Sequence, residues 1–266
     1  MRSFKPESAF AKIMFYGDPG TGKTTLLGTG MEDPRTTPML WLDCGGNPES
    51  IRHNAHLPTI LHIDRIDDLN APHDWLLKGQ PDKHPFVTMC EKLEVQLTPP
   101  YKSIVAVDCM TELQRMYIKK FSGNADKHPG DELAAVELRE WGTTLMALIN
   151  MISQYKQLPM HVFTTCHEDE RRDKSGAYLR STVWLWGQGR VEVPAYMLAQ
   201  IRLVRTNEIP ADMRTKLAER GQSDAINIAY FDQLGPFDAK QQYVAKRLGW
   251  MPAPTLSKVL DVLEIK

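Results

Sequence analysis

The chain has 266 residues, 42% hydrophobic and 24% charged, with 32 Lys and Arg set against 33 Asp and Glu. This balance excludes a disordered or low-complexity chain and suits one soluble domain with a sizeable core. A net charge of −1 excludes a global basic field, so any nucleic-acid contact has to come from local patches.

Strand signals alternate with helical stretches, the order expected of an α/β protein with a parallel sheet. Lys12–Tyr16 is a short buried strand, and a helix opens at Thr24–Gly28. Pro38–Asp43 is a second strand, closed by Cys44-Gly45-Gly46, and Ile60–Asp64 a third. Asp67–Pro85, rich in Pro, His and Asp, is expected to be irregular. Phe86–Leu97 has helical spacing and stops at Pro99-Pro100. Ser103–Asp108 is an apolar run without polar alternation, the mark of a central strand. A helix over about Thr111–Phe121, a loop over Ser122–Asp131 and a long amphipathic helix over Glu132–Gln157 follow. The buried side of that helix is expected at Leu133, Val136, Leu138, Trp141, Leu145, Leu148 and Ile152. Met160–Thr165 is another core strand, Asp173–Gly176 the turn of a hairpin, and Gln200–Arg205 and Ile226–Tyr230 later, more exposed strands. With no linker or repeat, residues 1–266 read as one domain: a core over about 10–206 and a C-terminal extension over about 207–266.

Gly17-Asp18-Pro19-Gly20-Thr21-Gly22-Lys23-Thr24 is a phosphate-binding loop pattern, set between the first strand and the first helix as its mechanism requires. The glycines let successive amides turn inward, Lys23 reaches toward β- and γ-phosphates, and Thr24 offers a hydroxyl to Mg²⁺; Thr25 continues the loop into the helix. Asp108, ending the apolar strand, is the expected acidic partner for the metal. Thr165 and His167, at the end of the Met160–Thr165 strand, are candidates to touch the γ-phosphate. Cys44, Cys109 and Cys166 each follow a strand near this site and are expected to fill space. His53 and His56 lack a third ligand for zinc.

Taken together, the phosphate loop and the strands ending Leu-Asp-Cys-Gly-Gly, Val-Asp-Cys-Met-Thr and Thr-Thr-Cys-His-Glu resemble the RecA-like P-loop ATPase core. More closely, the chain is similar to small bacteriophage RecA-like ATPases of single-strand annealing and recombination. The tail Tyr243-Val244-Ala245-Lys246-Arg247-Leu248-Gly249-Trp250-Met251-Pro252 is similar to a Lys/Arg-containing motif of that family. The resemblance implies a mostly parallel central sheet with helices on both faces and antiparallel strands toward the C-terminus. It also implies ATP and Mg²⁺, a homo-oligomer with nucleotide between subunits, single-stranded DNA as a ligand, and replication or recombination proteins as partners. RecA-like enzymes carry a catalytic Glu where this chain has Gly45. Asp43, Glu49 and Glu112 are the substitutes, with Asp43 preferred because it ends a core strand.

Lys246 and Arg247 are candidates to act on a neighbour's nucleotide; as neighbours on a strand they would face opposite ways. Arg202 and Arg205 are their rivals. For DNA, Arg171-Arg172-Asp173-Lys174 and Trp184-Leu185-Trp186-Gly187-Gln188-Gly189-Arg190 combine cations with aromatic surface. Alternatives to a recombination ATPase are a nucleotide-gated scaffold or loader with little turnover and a small-molecule kinase. No apolar run is long enough for a bilayer and the first residues lack a signal peptide's apolar stretch, so no membrane partner and a cytoplasmic location are expected.

Overall fold

A computed structural model describes residues 10–45, 48–122, 136–207, 225–233 and 235–265. Its centre is β1 (Lys12–Gly17), buried at all six positions and paired in parallel with β5 (His161–Arg172) on one side and β7 (Ala199–Thr206) on the other. Next to β5 lies β4 (Ser103–Asp108), then β2 (Met39–Asp43) and β3 (Thr59–His62), all parallel. On the other side β7 pairs antiparallel with β8 (Ile226–Tyr230), which pairs antiparallel with β10 (Trp250–Pro252). β6 (Tyr178–Val183) and β9 (Lys240–Gln241) branch from β5 and β7 as antiparallel neighbours. The protein is an α/β fold with a mostly parallel, mixed sheet, ten-stranded among the described residues and compatible with a P-loop core.

Period-two alternation in β1 divides the core. Met14 and Tyr16 face one apolar cluster, which includes Trp75 of α2 (Asn70–Leu77), Leu113 of α4 (Met110–Ser122), Leu148 of α5 (Leu138–Lys156) and Val193 of α6 (Gly189–Tyr196). Ile13 and Phe15 face the other, with Leu26 of α1 (Lys23–Gly28) and Val259 of α7 (Leu256–Val262). Helices therefore cover both faces. Each fully buried large side chain contributes roughly 1.5–3 kcal/mol, which explains why the central strands tolerate no polar alternation.

Several expectations need correction. The stretch expected to be irregular contains α2: Trp75 and Leu76 are buried, and Pro72 falls in the first turn, where a missing amide costs nothing. The helix expected to run to Leu97 is α3 (Pro85–Lys92), followed by Glu94 at φ +57°. β7, expected to be exposed, is a central strand. Leu138 is 89% exposed and Val136, Trp141 and Leu145 are only partly buried; Leu148 and Ile152 are buried as expected, joined by Thr144, Ile149, Met151 and Tyr155. The loop expected after Ser122, the first turns expected from Glu132, and Gly46 lie outside the described residues. The hairpin is present: Asp173 accepts amide bonds from Ser175 and Ala177 across a turn that places Gly176 at φ +85°. The strands and helix of the C-terminal stretch complete the same sheet and core.

Candidate nucleotide site

The carboxyl ends of β1, β2, β4 and β5 surround a cavity of about 400 Å³ lined by residues of the phosphate loop together with Gly45, Ser50, Asp108, Cys109 and His167. Its floor is the turn from β1 into α1. Gly20 and Gly22 sit at φ +81° and +82°, a region that disfavours any residue with a Cβ. Gly17 is required for another reason: a Cβ there would lie 2.2 Å from the Leu203 carbonyl oxygen of β7. The first intrahelical bond runs from the Leu26 amide to the Gly22 carbonyl at 2.8 Å, so the amides just before it have no partner within the helix. This is a cradle for an anion.

Lys23 reaches back over the loop. Its Nζ donates to the carbonyls of Gly17 at 2.8 Å and Asp18 at 2.9 Å. Burial lowers its pKa below the ordinary lysine value, opposed by negative groups that include Asp108. A buried cation held by neutral carbonyls is well placed to exchange them for phosphate oxygens.

Asp108 is 4% exposed and accepts two hydroxyl bonds. Thr24 Oγ1 donates to Oδ2 at 3.0 Å, and Thr165 Oγ1 donates to Oδ1. Strand β5 lies between β1 and β4, so Thr165 bonds the carboxylate from the intervening strand while Thr24 reaches it from α1. The hydroxyl–carboxylate pair fits the oxygen-ligand chemistry of Mg²⁺, and Thr24 with Asp108 would hold the ion. His167 lies opposite Gly17 in the β1–β5 register and lines the cavity. Its Nδ1 is buried without a hydrogen-bond partner among the described residues. Burial, then Lys23, lower its pKa, which favours the neutral ring.

Asp43 pairs with Asp108 in the β2–β4 register but does not line the cavity; its Oδ2 lies 2.9 Å from His62 Nδ1. Glu49 is 63% exposed and paired with Arg52. Glu112, in the first turn of α4, stands beside Gly45, where a Cβ would be in ordinary contact with Glu112 Cγ at 3.7 Å; like Asp43, it is not among the residues lining the cavity. Its carboxylate, Cys109 Sγ and a His167 ring nitrogen have ligand atoms within 4.8 Å of one another. Glu112 Oε1 also binds Arg115 Nη1 at 2.6 Å, and Arg115 lies over the rings of Trp184 and Trp186. Sequence spacing could not rank Glu112 first, because its approach to Gly45 is made in space by another element.

Lys246 and Arg247 are not on a strand. They are exposed on the loop between β9 and β10, and Lys246 Nζ lies 3.7 Å from Glu264. That loop starts where Gln241 faces Ala199, and the Tyr243 hydroxyl there accepts the Lys12 amide bond. This is the end of β1 and β7 opposite the cavity, so neither cation reaches its own chain's site. Arg202 has a structural position, paired with Glu168 at 2.6 Å and stacked over Phe237; Arg205 is exposed. Trp184 and Trp186 sandwich Arg115, and Trp186 packs on Trp141, so the aromatic stretch is anchored to α4 and α5 rather than looping free. All four cysteines are free and buried; burial pushes Cys109 up to about 11, consistent with a packing role.

No protein-family model matches the chain, and a search of curated proteins found no match.

Proposed function

We propose that the chain is an ATP-binding and ATP-hydrolysing RecA-like protein of the kind that serves DNA recombination or single-strand annealing, with Mg²⁺–ATP as its substrate. The observation that carries the reading is the Thr24–Asp108 bond. Residues 84 positions apart meet at 3.0 Å beside a buried lysine and an amide-lined turn. The position of β5 between the phosphate-loop strand and the Asp108 strand supports the RecA-like assignment, as do the antiparallel strands beyond β7.

In this reading the loop amides and Lys23 bind and orient the β- and γ-phosphates. Bound Mg²⁺ would neutralise phosphate charge as it develops. Glu112 takes a proton from a water as that water's oxygen attacks the γ-phosphorus, giving ADP and phosphate. Neutral His167 presents a ring nitrogen to the same end of the cavity. Glu112 is preferred to Asp43 for the base because its carboxylate lies within 4.8 Å of ligand atoms of the cavity-lining Cys109 and His167, whereas Asp43 engages His62. A second reading, a nucleotide-gated scaffold with slow turnover, is favoured by one observation: the Glu112 carboxylate is already engaged by the Arg115 guanidinium at 2.6 Å.

Steady-state ATP turnover of Glu112→Gln and Asp43→Asn separates these roles. Glu112→Gln is expected to lose about 100-fold in turnover while binding ATP normally, and Asp43→Asn to lose little. The reverse ranking would remove Glu112 from the chemistry. Turnover in the intact protein no faster than in Glu112→Gln would favour the scaffold.

A further inference from the structure

Beside the phosphate loop, three side chains of a different chemistry from Thr24 and Asp108 converge. Cys109 Sγ, a Glu112 carboxylate oxygen and a His167 ring nitrogen lie within 4.8 Å of one another. Two elements deliver them. Cys109 caps α4, its carbonyl accepting the Leu113 amide bond at 3.1 Å, and Glu112 stands three residues on. That spacing puts sulfur and carboxylate on one side of the helix. His167 comes from β5, and its backbone amide donates to Thr111 Oγ1 at 3.2 Å, tying that strand to the same turn of α4. Thr111 Oγ1 in turn donates to the Trp184 carbonyl at 3.0 Å, so a bonded frame holds the three donors.

Each group is suited to a metal. Nδ1 of His167 is buried without a hydrogen-bond partner among the described residues, and burial, then Lys23, favour the neutral ring with its lone pair. Burial raises the Cys109 pKa, while the Glu112 and Thr111 amides hydrogen-bond to sulfur and oppose it. The unbound thiol therefore packs as a protonated side chain. An ion would displace that proton, and the two amides would then stabilise the charge on sulfur. Arg115 Nη1 engages Glu112 Oε1 at 2.6 Å, which leaves Oε2 for an ion among the described residues. The thiolate, Glu112 and Asp108 set against Lys23 and Arg115 make a local charge of about −1, attractive to a divalent cation.

We propose that Cys109, Glu112 and His167 bind Zn²⁺ at a site separate from the Thr24–Asp108 pair. A set of sulfur, nitrogen and oxygen favours a borderline-soft ion, whereas the all-oxygen pair suits Mg²⁺. Tetrahedral zinc, with bonds of about 2.0–2.3 Å, requires donors about 3.3–3.6 Å apart, so closing the triad takes side-chain shifts of roughly 1 Å. Cys109 and His167 line the cavity, and the fourth position opens toward it for water or a phosphate oxygen. An ion there withdraws Glu112 from its water and slows ATP turnover while ATP still binds. This consequence, unlike the site itself, rests on the hydrolytic reading above.

The test uses the full chain, reduced and freed of metal by chelation, with Co²⁺ as a coloured substitute for Zn²⁺. Titration is expected to give a thiolate-to-cobalt charge-transfer band and the intense visible bands of four-coordinate cobalt. Equimolar Zn²⁺ should abolish both, and a large excess of Mg²⁺ should not. Cys109→Ser should lose the charge-transfer band, and Glu112→Gln and His167→Ala should bind at least about 10-fold more weakly. Cys90→Ser, whose sulfur belongs to α3, should match the unaltered chain. No charge-transfer band in the unaltered chain, or a band retained in Cys109→Ser, would overturn the site. Saturating, buffered Zn²⁺ should slow turnover of Mg²⁺–ATP at least about 10-fold in the unaltered chain and hardly at all in Glu112→Gln. Equal slowing of the two would overturn the withdrawal of Glu112. The cobalt spectra read the site whether or not the chain hydrolyses ATP, so failure of the site and failure of the hydrolytic reading are told apart.

Discussion

His161 is 4% exposed at the start of β5, where its Nδ1 accepts the Ala11 amide bond at 2.9 Å. Burial, with Lys12 and Arg35 adding to it, lowers its pKa from 6.5 to about 4. Between these values the unfolded chain binds a proton that the folded chain refuses, so stability falls as pH drops from 6.5 toward 4. At pH 5 this single group accounts for about 2 kcal/mol of the loss. Urea unfolding at pH 7 and pH 5 should show a smaller pH-dependent loss in His161→Gln than in the unaltered chain; equal losses would mean that the folded protein tolerates the imidazolium. The candidate site was unevenly legible at this scale. Lys23, Thr24 and Asp108 follow from spacing, because a phosphate loop and an apolar strand ending in Asp are local patterns. Glu112 does not, because its approach to the cavity-lining Cys109 and His167, and the engagement of Asp43 by His62, are made between elements far apart in sequence.

Among the elements, sequence pattern identified β1, β2, β4, β8 and the 173–176 hairpin, whose apolar runs or turn residues are unambiguous. It missed α2, where Pro72 signalled a loop although its first-turn position is compatible with helix. It also missed the central position of β7, because Arg202 and Arg205 suggest an edge; burial of Arg202 against Glu168 and Phe237 resolves that conflict only in three dimensions. The docking of α7 was likewise invisible. Arg35 Nη1 donates to the Ile265 carbonyl at 2.8 Å and Nη2 to the Ser257 carbonyl at 3.2 Å, while Asp33 and Asp261 bind the same guanidinium. Arg35→Ala leaves the 3%-exposed Asp33 carboxylate without its main partner, and a loss of about 2 kcal/mol is expected in urea unfolding. A loss below about 0.5 kcal/mol would show that apolar packing alone holds α7.

For the whole molecule, the sheet separates two ends. The cavity sits at the carboxyl ends of β1, β4 and β5, while Lys246 and Arg247 lie on a loop that starts at the other end. If those cations act, they act on another copy's nucleotide. Alanine at either position should then leave ATP affinity unchanged and reduce turnover only at protein concentrations where light scattering detects assembly; an equal reduction in dilute monomer would exclude a role between subunits. Among the described residues no helix is long and apolar enough to cross a membrane. The central claim is that the 17–24 turn and Asp108 hold a metal-bound triphosphate. Calorimetric titration of ATP with and without Mg²⁺ tests it most directly, on the unaltered chain, Lys23→Ala and Asp108→Asn. One ATP per chain is expected, abolished by Lys23→Ala and weakened by removing Mg²⁺, with Asp108→Asn insensitive to the metal. Full ATP affinity in Lys23→Ala would contradict the account.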